Sequence, residues 1–109
     1  IASARTPAQL IKHEELLELS RMFPFNFKYY PVLTREWPDS WPYTKGRITR
    51  VNGIRNGEEE VDVQPLLDVV PHIRNVHLRM CGGGSALEQL RRGLRQSGQT
   101  PLSFRSEAW

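Results

Sequence analysis

The chain has 109 residues, with 15 Lys and Arg against 12 Asp and Glu, a formal charge of +3 and a pI near 9.4. That length suits a single small domain, residues 1–109, with one modest core and no spacious catalytic cleft. Mean hydropathy is −0.52, and no run approaches the roughly 18 apolar residues of a membrane span, which excludes a spanning helix.

The first expected element is a helix over residues 7–22. Thr6 is suited to cap it, Pro7 to open it, and Gln9 to complete a capping box with Thr6. Leu10, Ile11, Leu17 and Met22 would form its apolar face, Glu14, Glu15 and Glu18 the solvated one, and Pro24 ends it. "FNFKYYPVL" reads as a strand that Pro31 demotes to a sheet edge. "TREWPDSWPYTKG" reads as a loop, because Trp37 and Trp41 each precede a proline and are pushed toward extended geometry.

"GRITRVN" and "EVDV" should pair antiparallel across two Asn-Gly dipeptides, the strongest local turn signal. A helical turn follows between Pro65 and Pro71. In "IRNVHLRM", Val76, Leu78 and Met80 alternate with His77 and Arg79, as on a strand. "GGGSALEQLRRGLRQSG" then reads as a connection into a helix, with Ser85 and Glu88 as a second capping box. Leu87, Leu90 and Leu94 would be its buried stripe, and Arg91, Arg92 and Arg95 would lie largely outward. Gly98 and Pro101 close it. Residues 1–6 and 99–109 are expected to be extended tails. The fold class is then α+β: a small, mainly antiparallel sheet, two flanking helices, a long aromatic and proline-rich loop, and extended termini.

Charge is unevenly spread. Residues 1–50 carry eight basic and five acidic side chains, whereas residues 51–109 carry seven of each, with Glu58, Glu59, Glu60, Asp62 and Asp68 early and Arg91, Arg92 and Arg95 late. Arg outnumbers Lys twelve to three, which suits bidentate contacts with phosphate or carboxylate. Candidate RNA contacts are Lys45, Arg47, Arg50, Arg79, Arg91, Arg92 and Arg95. The loop and its flanks supply Tyr29, Tyr30, Trp37, Trp41 and Tyr43, and Trp109 closes the chain; these residue types anchor protein interfaces.

Several chemistries find no support. The three glycines at 82–84 lack the lysine and hydroxyl of a nucleotide-binding loop, and the dinucleotide fingerprint is absent, so they read as a connection. His13, His72 and His77 have no metal-ligand spacing. The single Cys81 makes neither an intrachain disulfide nor a thiolate zinc site. No nucleophile–base arrangement is visible. The expectation is no enzyme, no cofactor, no metal and no small-molecule substrate.

"WPYTKGRITR" together with "VHLRMCGGGSALEQL" resembles a mitochondrial large-subunit ribosomal protein family related to translation initiation factor one, through Pro42, Tyr43, Arg79, Gly82, Ala86 and Leu87. Gly83 stands where that family carries an acidic residue, and its C-terminal strand and helix have no counterpart. "VHLRMCGGGSALEQLRRGL" also resembles the strand–Cys–Gly–helix segment of a thioredoxin-like family shared by mitochondrial ribosomal proteins and a small complex I subunit. "IASARTPAQ", with Ser, Ala and Arg and no acid, matches the end of a mitochondrial leader. These resemblances imply a structural component of the mitochondrial ribosome in the matrix, part of a hetero-oligomeric assembly with rRNA and neighbouring ribosomal proteins as partners. The alternative is an accessory subunit of a respiratory-chain complex or ATP synthase, held by protein contacts.

Overall fold

The computed structural model describes residues 1–108. Trp109, one of the expected interface residues, lies outside them. The chain divides into two compact units, residues 1–46 and 47–109.

In the first unit, strand β1 (Ala2–Ala4) is followed by a 3-10 turn (Pro7–Gln9), helix α1 (His13–Met22), β2 (Pro31–Leu33) and β3 (Thr44–Lys45). β2 lies between β1 and β3, parallel to both, with Ala2 beside Pro31 and Val32 beside Thr44. Every residue of β1 and β2 is buried, the unalternating pattern of parallel strands.

In the second unit, β4 (Arg50–Arg55) and β5 (Glu58–Asp62) form the hairpin, followed by helix α2 (Gln64–Val69) and a 3-10 turn (Ile73–Asn75). Then come β6 (His77–Gly82), helix α3 (Gly84–Ser97) and β7 (Ser103–Ala108). β4 and β5 pair antiparallel, whereas β6 and β7 pair parallel, with His77 beside Ser103 and Gly82 beside Ala108.

The expected mainly antiparallel sheet is therefore corrected: β1–β2, β2–β3 and β6–β7 are all parallel, and among these pairings of the described residues β4–β5 alone is antiparallel. The reason lies in the connections. A tight turn reverses the chain, but α1 and α3 carry it back so that the next strand runs the same way. The termini are corrected as well. The segments expected as tails contain β1 and β7, and Ala2, Ser3 and Ala4 are buried. Pro31 does not make an edge strand. It opens β2, where a missing N–H interrupts no established ladder.

Local chemistry explains the rest. Asn56 and Gly57 have φ of 55° and 77°, as a type I′ hairpin turn requires. The second Asn-Gly pair, Asn52-Gly53, lies at a register shift between Val51 and Ile54 and makes a bulge, with Gly53 at φ 122°. The first helix begins later than expected. Lys12 is left-handed at φ 57° and separates the 3-10 turn from α1. Thr6 makes no side-chain cap; Gln9 instead accepts from the Arg5 N–H through Oε1 at 3.2 Å.

In α3, Leu87, Leu90 and Leu94 are buried as their spacing predicts. Gly93 is buried among them because the helix closely approaches the hairpin and the segment after it. A Cβ there would overlap Val63 Cγ1 and lie 2.9 Å from Val61 Cγ1.

Candidate nucleic-acid interface

Within the second unit, a shallow open cleft of about 450 Å3 is lined by Arg47, Thr49, Arg50, Val51 and Gln89. Its floor is anchored from two sides. Ile48 and Thr49 are buried, and the Ile48 carbonyl accepts from the Leu66 N–H at 3.1 Å. The Thr49 hydroxyl donates to Gln89 Oε1 at 3.3 Å, tying the start of β4 to α3. Arg47 and Arg50, by contrast, are exposed. Arg50 has only a loose ion pair, 3.8 Å from Asp62 Oδ2, its partner in the β4–β5 register. The Arg47 and Arg50 guanidiniums and the Gln89 amide N–H are the donors among the described lining residues, which include no carboxylate, and they suit a phosphate-type anion; the Thr49 hydroxyl proton is already given to Gln89.

The other expected RNA contacts are distributed differently. Lys45 is exposed on β3 in the first unit, and Arg79 is exposed on β6. The α3 arginines face acceptors of their own unit. Arg92, only 22% exposed, lies 3.3 Å from Glu58, 3.0 Å from Glu59 and 3.5 Å from Glu88. Arg95 also pairs with Glu58. The Arg91 guanidinium sits 5.2 Å above the Phe104 ring centre and hydrogen-bonds the Ser106 hydroxyl.

Gln96 extends this clasp. It accepts from the Val61 N–H at 2.9 Å and donates to the Glu59 carbonyl at 2.8 Å. The acidic tip of the hairpin and the late arginines, separated in sequence, thus neutralise each other in space.

The glycine connection has no side-chain cap. Gly83 is the N-cap, in extended conformation, and Ser85 lies inside the helix. The expected Ser85–Glu88 capping box is therefore corrected: the helix starts two residues too early for it, and Glu88 faces Arg92 one turn on. A Cβ on Gly83 or Gly84 would meet nothing within 4 Å.

In the first unit, three of the expected interface aromatics gather on His13. Its ring centre lies 5.6 Å from that of Tyr29, 5.5 Å from Trp41 and 6.1 Å from Tyr43. His13 Nδ1 is 2.9 Å from the Tyr29 hydroxyl, and the Trp41 indole N–H donates to the Thr44 carbonyl at 3.2 Å. Trp37 remains exposed, and burial raises the Tyr30 phenol above its usual pKa. His13 is the residue that gathers these rings, and its position beside a left-handed Lys12 gave no local signal.

Cys81 is a free, half-buried thiol. Among the described residues no helix is long and apolar enough to cross a membrane, and no three His, Cys, Asp or Glu side chains converge as metal ligands. No family model, curated protein or solved structure matches this chain.

Proposed function

We propose that this chain is a non-catalytic structural component of the mitochondrial ribosome, resident in the matrix, docking on ribosomal RNA and neighbouring proteins. The observation that carries the reading is the cleft lined by Arg47, Thr49, Arg50, Val51 and Gln89, whose donors suit phosphate. Such contacts fix a protein on an RNA backbone without reading its sequence. The segment resemblances to mitochondrial ribosomal families support the choice of assembly. Trp37 and the apolar residues around α1 are available for protein neighbours.

Sedimentation of the tagged native protein from solubilised mitochondria, with and without ribonuclease, tests the reading. Comigration with a ribosomal particle, lost after nuclease and in an Arg47→Glu/Arg50→Glu variant, is the expected result. The second reading is an accessory subunit of a respiratory-chain complex or ATP synthase. It is favoured by the internal neutralisation of Arg92 and Arg95 and by the exposed Phe25. Comigration with a nuclease-indifferent membrane complex would establish it instead.

A further inference from the structure

The two edges of the hairpin are finished differently. On β5, Gln96 of α3 satisfies the backbone, accepting from the Val61 N–H at 2.9 Å and donating to the Glu59 carbonyl at 2.8 Å. β4 has no such cover. Its sheet consists of β4 and β5, and all six residues of β4 are exposed.

The Gln96 bonds also set the phase of the ladder. In an antiparallel pair, opposed residues either exchange both backbone bonds or turn both groups outward. Val61 and Glu59 turn theirs outward to Gln96, so their register partners, Val51 and Ile54, turn theirs to the open side of β4. The bulge between Val51 and Ile54 keeps both in that phase. Their side chains are apolar and exposed, Val51 by 38% and Ile54 by 78%. An unpaired edge with apolar side chains is a template for another strand.

The charges specify which strand. β4 carries Arg50 and Arg55 and no carboxylate. Arg50 has its loose pair with Asp62. Glu58, the register partner of Arg55, is taken by Arg92 and Arg95, which leaves Arg55 without an ion pair among the described residues. A second copy fits poorly: two-fold antiparallel pairing about Asn52-Gly53 sets each Arg50 against the other copy's Arg55, like charges directly opposed. RNA phosphates suit the arginines but only accept hydrogen bonds. They leave the Val51 and Ile54 carbonyls and apolar side chains unmatched, whereas a peptide strand supplies both a donor and an acceptor at each residue.

We propose that the open edge of β4 binds an extended, acidic segment of a neighbouring protein by strand addition, with main-chain bonds to Val51 and Ile54 and a carboxylate at Arg55. Main-chain pairing supplies the affinity, and the arginines select the acidic strand. The site goes beyond the RNA reading and serves a ribosomal or a respiratory assembly alike.

The test is NMR of the isotope-labelled full chain, titrated with a capped heptapeptide of alternating glutamate and valine. At saturation, amide exchange at Val51 and Ile54 is expected to slow at least about fivefold, with Leu90 of α3 unchanged. The same peptide N-methylated at every residue keeps its charges but donates no main-chain bond, and should bind at least about tenfold more weakly. Equal binding of the methylated peptide would overturn strand addition. A peptide with lysine in place of glutamate should also lose affinity; if it binds as well, the acidic partner is wrong. Arg55→Gln should weaken the glutamate peptide about two- to fivefold, the range of one cross-strand charge pair, and no change would remove Arg55 from the site. If no peptide protects Val51 or Ile54 while an oligouridylate binds at Arg47 and Arg50, the strand site is overturned and the RNA reading stands. Protection by the glutamate peptide without oligouridylate binding supports the strand site and removes the RNA reading instead.

Discussion

The two units contain the same motif in two states of completion. Residues 2–33 and residues 77–108 each run strand, helix, parallel strand, but the crossover helices differ in what they bury. α3 buries Leu87, Leu90, Gly93 and Leu94, and its cations are clasped by Glu58 and Glu59. α1 buries no residue: Leu19 is 41% exposed and Met22 60%, and beyond it Phe25 reaches 96%. A parallel strand pair thus fixes connectivity without fixing how its helix is used. In the second unit the helix seals the core; in the first it leaves apolar side chains exposed.

Substitutions in the two helices put this contrast to its hardest test. Leu90→Ala is expected to cost about 2–5 kcal/mol, against less than about 0.5 kcal/mol for Leu19→Ala, as read by chemical denaturation. Equal costs would mean that α1 is packed as tightly as α3. Gly93→Ala comes next. In an exposed helix interior that change gains up to about 1 kcal/mol. Here the overlap with Val63 and the approach to Val61 should reverse the sign, to a loss of about 1–3 kcal/mol.

Arg92→Gln should cost about 1–2 kcal/mol, and less at high salt, because only part of the clasp is shielded from solvent. A salt-independent loss would assign the effect to packing of the arginine stem. The smallest effect belongs to Tyr30 in the first unit. Its raised pKa means the folded state holds the phenolic proton more tightly than the unfolded chain does. Its contribution is therefore full below pH 10.0, the ordinary value, and is lost as pH rises through the folded value. Tyr30→Phe should flatten the alkaline fall in melting temperature.

What could be read from sequence followed the range of the forces involved. The Asn56-Gly57 turn and the Leu87–Leu90–Leu94 stripe are set by neighbours within one turn, and both formed as expected. β1 was hidden because Ala-Ser-Ala has neither alternation nor branched residues, and it takes its strand form from pairing, as with β2. β7 was hidden because "SFRSEA" exposes most of its side chains and depends on register with β6. In the candidate site, the charges of Arg47 and Arg50 were legible. Thr49 and Gln89, forty positions apart, were not, because only the fold brings them together. Arg91 and Arg95 are exposed, as the outward reading of α3 expected, but nothing local announces that Glu58 and Glu59 come back to meet Arg92.

The Asn56-Gly57 turn also has a consequence in time. Arg55 and Glu58 are register partners, so this hairpin closes across two residues, whereas β1–β2 and β6–β7 must each close across an entire helix. Short closures carry the smaller entropy cost, and hairpins form within about 1–10 μs. The hairpin is therefore expected to assemble first and offer Val61 as a landing site for α3. Pulse-labelled hydrogen exchange, with the amides of the β4–β5 ladder protected before those of Leu78, Val32 and Val61, whose N–H is held by Gln96 of α3, would record that order. By this account the least buried strand in the protein, β4, belongs to its first folding event.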